Sequence, residues 1–273
     1  MKNLSIIFSL ILLLLHVSCE QEKIIWPLNN SPSDLIVVEG MLTNEKIRHA
    51  IKLSKPYLEQ NEIPEPISGA TVYIITNDSV PEIINTNEFP QESGHYLTNS
   101  IRAVSGKIYT LVIKYNFKEY RASASQPPIE ALDNPLSYKP VSDTTYTLNF
   151  VPSGNEPNYI KYFLDWRLTD YCINQDSCQA LQIFYDLKNI DINEQFKPDQ
   201  EVVVFPKGTT VVRKKYSVSN EYKAFLRGML SETAWRGGYF DVYQANAPTN
   251  LSEGAVGFFA VSTVLADSTI ITN

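Results

Sequence analysis

The sequence predicts a mainly β protein: an N-terminal antiparallel β-sandwich followed by a second β-rich domain with one packed α-helix. Three observations predict it. Short runs of β-branched and aromatic residues alternate with polar ones at period two, and turn residues such as Asn77-Asp78 and Ser93-Gly94 separate them. The 273 residues are 44% hydrophobic and 19% charged, with 16 Tyr and 12 Phe, a globular composition that favours strands over helix bundles. One segment alone carries a clear helical stripe, Tyr222, Phe225, Leu226, Met229 and Leu230.

The first element is a leader. Lys2 precedes an apolar run from Leu4 to Leu15, interrupted by Ser5 and Ser9. The run is too short for a bilayer core of about 30 Å, so residues 1–18 read as a signal peptide. It ends in His16-Val17-Ser18-Cys19. A small residue directly before a cysteine resembles the lipobox of bacterial lipoproteins, although His16 stands where that motif usually has Leu. The resemblance implies lipidation of Cys19 and attachment to a membrane through that lipid. Each buried methylene contributes about 0.8 kcal/mol, so several acyl chains on one residue would hold it firmly. The alternative is an ordinary cleaved leader with an incidental cysteine. Residues 19–33 then form a tether. Its Glu20, Gln21 and Glu22 are similar to the surface-export signal of Bacteroidetes lipoproteins, and they equally suit a solvated linker.

Residues 34–126 carry the first set of strands. Leu35 to Leu42 is a β run and His49 to Ser54 alternates. Ala70–Ile75, Ile83-Ile84, His95–Leu97, Ile108–Tyr115 and Glu119–Ala124 follow. Three patterns, Ser68-Gly69-Ala70-Thr71-Val72, Gly94-His95-Tyr96 and Gly106 to Leu111, resemble carboxypeptidase-regulatory-like and transthyretin-like β-sandwiches. Residues 127–144 are rich in proline and read as a linker.

Residues 145–273 form the second β-rich domain. Tyr162 to Leu168 alternates, as does Leu181 to Tyr185. Glu201 to Phe205 reads as a compact buried strand. Val211 to Val218 reads as another, with Arg213, Lys214 and Lys215 solvated on it. A helix is predicted near 220–233. Ser219 or Asn220 can cap it, and Glu221 suits its first turn. Gly228 inside it costs up to about 1 kcal/mol relative to Ala. Its apolar stripe reads as core contact rather than a partner groove. Gly254 to Ser262 and Thr269 to Thr272 supply the last strands.

Three cysteines are present. With Cys19 assigned to the anchor, Cys172 and Cys178 enclose a polar turn, and in an oxidising compartment they are expected to pair. Closing so short a loop stabilises by about 2 kcal/mol. A metal site is the alternative, but two thiolates fall short of four ligands. The formal charge of −7 gives phosphate-backbone binding no electrostatic drive, so no nucleic-acid partner is expected, and charge alone would not hold the chain to anionic lipid.

A Val37-Val38-Glu39-Gly40 first strand, the Gly69-Ala70-Thr71-Val72 strand, Pro127-Pro128, a late helix, and Pro248-Thr249-Asn250 before Gly254 to Ser262 occur in one order. With the lipobox they form an outline that resembles the Bacteroidetes lipoproteins of the domain of unknown function 4249 family. Members are often encoded beside TonB-dependent outer-membrane receptors. The resemblance therefore implies an outer-membrane protein facing the cell exterior, accessory to such a transporter. It supplies no catalytic residue and no cofactor. In such a bacterium Asp78-Ser79-Val80, Asp143-Thr144-Thr145 and Asp267-Ser268-Thr269 also fit an O-glycosylation pattern.

Chemistry-bearing motifs are sparse. His49 and His95 follow the leader, and both lie in alternating segments that read as strand surface. The sequence holds no Gly-x-Ser-x-Gly elbow and no His-Glu-x-x-His pair. Asn189, Asp191 and Asn193 alternate like early calcium-loop ligands, but Glu194 replaces the turn glycine and Gln200 the bidentate Glu, so no metal site is expected. Trp235-Arg236-Gly237-Gly238-Tyr239-Phe240 mixes glycine with aromatics. Trp235, Tyr239 and Phe240 are the candidate residues for stacking on a glycan or docking a peptide or receptor, against a plain hydrophobic plug. The expected function is a non-catalytic accessory binding subunit. The alternatives are a stand-alone glycan- or peptide-binding lipoprotein and a hydrolase using an unrecognised carboxylate pair.

Overall fold

Eight strands make the first sheet, and their alternation explains why. The computed structural model describes residues 35–56, 62–132, 134–152, 154–173, 177–187, 202–233 (backbone only at 231–233) and 247–272. The N-terminal strands are β1 (Ile36–Thr43), β2 (Ile47–Ser54), β3 (Thr71–Thr76), β4 (Ile83–Glu88), β5 (His95–Ile101), β6 (Ile108–Tyr115) and β7 (Lys118–Ser125). Val72, Ile74 and Thr76 on β3 turn inward, while their neighbours turn out. The strand order is β14-β1-β2-β5-β4-β3-β6-β7, where β14 is Ala255–Ser262 near the C-terminus. β14 runs parallel to β1, from Ile36 against Ala255 to Thr43 against Ser262. Gly257 makes that approach possible. Its φ is +98°, and a Cβ there would collide with the Val38 carbonyl oxygen.

The sheet rolls up until its two outer strands meet. Ala122 bridges Leu251, Ser252 N donates to Arg121 O (2.9 Å), and Arg121 N donates to Ser252 Oγ (3.0 Å). The enclosed core includes Val38, Leu42, Ile51, Leu53, Ile74, Leu111, Ile113 and Phe259, each buried to 0% exposure. His49 points into this body at 3% exposure, which corrects the strand-surface reading. Alternation on β2 places His49, Ile51 and Leu53 on one inward face, and its ring satisfies itself on a carbonyl.

The remaining strands are β8 (Tyr138–Pro140), β9 (Thr145–Leu148), β10 (Asn158–Asp165), β11 (Gln179–Asp186), β12 (Val204–Pro206), β13 (Thr210–Ser217) and β15 (Val264–Ile270). They form a four-stranded sheet, β11-β10-β13-β15, and a three-stranded one, β12-β9-β8. On β10, Ile160, Tyr162 and Leu164 cluster with Tyr146, Leu148 and Phe205 of the small sheet. Tyr159 belongs to the opposite cluster, with Tyr216, Val264, and Leu226 and Leu230 of α1 (Asn220–Thr233). Glu201 to Phe205 is not a buried strand throughout. β12 starts at Val204, Val202 is 64% exposed, and Phe205 alone among the described residues of that run is fully buried.

Helix α1 stands where the apolar stripe predicts it. Ser219 Oγ accepts from Tyr222 N (3.1 Å), a side-chain N-cap. Tyr222 and Phe225 lie against Phe258 with ring centroids 5.0 and 5.2 Å apart. Gly228 has a packing reason, because Ala247 and Pro248 lie 3.2–3.3 Å from where a Cβ would stand.

Residues 33–273 form one compact unit. The C-terminal hairpin spans the two sheets, with β14 in the first and β15 in the second. Asn44 Oδ1 accepts from Val264 N (2.7 Å), and its Nδ2 donates to Val264 O (3.2 Å). Glu45 pairs with Lys214 at 2.6 Å. Strand polarity then fixes the ends. Ile36 lies at the end of the first sheet away from this junction, and Asp165 and Gln179 lie at the end of the second sheet away from it.

Arg213 and Lys215 are not solvated, which corrects the sequence reading. They are 6% and 1% exposed. Their strand places them on the face that meets the proline-rich segment, and that segment uses them. Arg213 Nη2 donates to Asn134 O (2.9 Å), Lys215 Nζ to Glu130 O (3.2 Å), and Thr263 Oγ1 to Pro127 O (2.9 Å). A segment poor in backbone N–H groups offers carbonyls, and buried cations supply the donors.

Candidate functional site

The end of the second sheet remote from the first presents a stapled turn. Alternation from Tyr162 predicts a strand to Leu168, yet β10 stops at Asp165. The buried Trp166 starts the turn: its backbone N–H donates to Cys178 O (2.9 Å), and its carbonyl accepts from Thr169 N (3.0 Å) and Thr169 Oγ1 (2.8 Å). A single 3-10 turn, Asp170–Cys172, follows. Cys172 and Cys178 are joined by a disulfide across a sequence separation of 6, the pairing their spacing predicts.

This base holds apolar side chains outward. Leu168 is 100% exposed, Ile173 75% and Tyr171 48%. Beside them Arg167 grips Asp165 through two guanidinium nitrogens, and Gln179 Nε2 adds a donor at 3.3 Å. The Arg167 side chain and backbone hold the Asp165 carboxyl well below the usual carboxylate range. Such a turn can offer an apolar contact to another macromolecule. Sequence reasoning missed these three residues. Leu168 continues an alternating pattern, and nothing local shows that the strand ends three residues earlier.

The other candidates lie as follows. Cys19 and the Trp235, Tyr239 and Phe240 group are outside the described residues, as are Asn189, Asp191, Asn193 and Gln200. The His49 ring places Nε2 3.2 Å from Ile101 O. Burial pushes its pKa down, opposed by the Ile101 and Glu45 backbone. His95 is half-buried, with Nδ1 3.0 Å from Ser93 O. In the glycosylation-like patterns, Asp78 already binds Lys107 and Thr76, and Asp267 binds Arg213. Among the described residues no group of three His, Cys, Asp or Glu converges as a metal site. No helix among them is long and apolar enough to cross a membrane.

A closed first sheet, a strapped second sheet and a disulfide-stapled end define a β-rich protein of two joined sheet systems. A model of the family described as domain of unknown function (DUF4249) matches residues 22–268, and the chain belongs to that family. No curated protein matches it significantly.

Proposed function

We propose that this chain is a lipid-anchored, non-catalytic accessory subunit of an outer-membrane TonB-dependent transporter, displayed on the cell exterior and contacting its partner through the stapled turn. The observation that carries this reading is the exposed apolar turn. Leu168, Tyr171 and Ile173 are 100%, 48% and 75% exposed on a base closed by the Cys172–Cys178 disulfide, at the end of the second sheet remote from the first. Such side chains suit contact with another protein. The leader, the Cys19 context and the family's association with TonB-dependent receptors support the same reading.

The test is affinity capture of the full chain from detergent-solubilised outer membrane of its native host. A β-barrel receptor should be recovered with the wild type, and Leu168→Asp with Ile173→Asp should lose it while the melting profile stays unchanged. Recovery of the protein alone would overturn the reading. Mass spectrometry of the mature N-terminus tests the lipid independently, and Cys19→Ala should release the protein from membranes.

A further inference from the structure

The mouth of the first sheet facing the junction holds a cleft of about 240 Å³, and we infer that it binds a small carboxylate with an apolar body. Three connections build the cleft: the turn between β1 and β2, the hairpin between β3 and β4, and the loop from β5 to β6. Its lining includes the apolar side chains of Ile84, Ile101 and Val104 and the ring of Tyr109. The exposed Lys46 and Arg102 line it as well.

The walls are fixed before any ligand arrives. Val104 N donates to Tyr109 Oη (2.8 Å), and Ala103 N to Thr43 O (2.7 Å). On the other side Thr76 Oγ1 donates to Asp78 (2.7 Å) and accepts from Glu82 N (3.1 Å), while Ile108 N donates to Asn77 Oδ1 (2.8 Å). Lys107 is spent on Asp78 at 2.7 Å. A preorganised wall lowers the ordering cost of binding.

Charge selects the ligand. Lys52, Lys55, Lys107, Lys114 and Arg121 in this half of the molecule each face a carboxylate. Lys46 and Arg102 have no side-chain hydrogen bond or ion pair among the described residues, in a protein of net charge −7. Glu82 is the one carboxylate on the lining, so two free cations outweigh it. An anion with an apolar body satisfies a mixed lining of this kind, and a guanidinium and an ammonium on one cleft suit a carboxylate. The volume lies below the roughly 300–1,000 Å³ of ordinary ligand pockets, so the ligand is small.

The test is calorimetric titration of the full chain with phenylacetate, phenylacetamide and inorganic phosphate. Saturable one-to-one binding of phenylacetate is expected. The neutral amide should bind at least fivefold more weakly, and so should phosphate, which lacks the apolar body. Lys46→Gln combined with Arg102→Gln should weaken phenylacetate at least tenfold, whereas Lys139→Gln, remote from the cleft, should not. Both Lys46 and Arg102 are exposed, so unchanged melting of the variants separates lost binding from lost folding. Absence of saturable binding, equal binding of the amide, equal binding of phosphate, or an unaffected double variant would each overturn the assignment.

Discussion

The side-chain amide of Asn250 and the backbone of Phe259 exchange two hydrogen bonds: Phe259 N donates to Asn250 Oδ1 (3.1 Å), and Asn250 Nδ2 donates to Phe259 O (2.8 Å). Nδ2 also reaches Ser123 O on β7 (3.3 Å). One side chain thus does what a ladder residue would do between β14 and the closing edge of the sheet. Phe259 is fully buried, so its backbone groups have no recourse to water.

Asn250→Ala should therefore destabilise by about 2 kcal/mol, the cost of leaving buried backbone groups unpaired. Asn250→Asp should be worse than Ala, because it sets a carboxylate charge against the Phe259 and Ser123 carbonyl oxygens, a repulsion that Ala does not create. Urea denaturation of both variants measures the order. An Asp variant as stable as wild type would show that the amide does not close the sheet.

The buried cations predict an asymmetry. The Arg213 side chain is 7% exposed and its partner Asp267 40%. Removing Asp267 strands a buried charge, whereas removing Arg213 leaves a carboxylate that water reaches. Asp267→Ala should thus cost more than Arg213→Met, by about 1–2 kcal/mol after allowing for the solvent around Asp267. Chemical denaturation of the pair decides it, and the reverse order would mean that strapping of the Asn134 carbonyl outweighs the ion pair.

What the sequence made legible follows from range. Period-two alternation is local, so most strands of the first half and the stripe of α1 could be read directly. The pairing of β1 with β14 joins Ile36 to Ala255, and no local pattern carries it. Arg213 and Lys215 look solvated because charge normally faces water. Only the fold reveals that a proline-rich strap lies over them and uses them as donors. The candidate site divides in the same way. Two cysteines at close spacing announce their disulfide, while the exposure of Leu168, Tyr171 and Ile173 depends on where β10 ends.

Removing the disulfide should act locally. Cys172→Ala with Cys178→Ala should lower stability by about 2 kcal/mol through the freed loop of the unfolded chain. Trp166 is buried beside Cys178, so its fluorescence should shift to the red as the turn loosens, while the closed first sheet keeps its amide-exchange protection. Equal loss of protection in both sheets would show that the staple supports the whole unit.

Acid should weaken the protein in two windows, and each has an assignable group. His49 has its folded pKa pushed below the ordinary 6.5 by burial. The unfolded chain then binds a proton more readily, so stability is complete above about 6.5 and declines as pH falls from there toward the folded value. Glu88 acts lower. Partial desolvation opposes its ionisation, but donors from Gly94, Ser68, Gly69 and Ser93 prevail and hold its carboxyl below the ordinary 4.5. Its contribution is present above 4.5 and is lost as pH falls through the folded value. Stability against pH for His49→Gln should be flatter than wild type just below 6.5, and Glu88→Gln should differ from wild type at neutral pH but converge with it in strong acid. If Glu88→Gln tracks wild type at pH 7, the hydrogen bonds from the Gly94 turn do not depend on the carboxylate charge. If His49→Gln keeps the full decline below 6.5, another group titrates in that window.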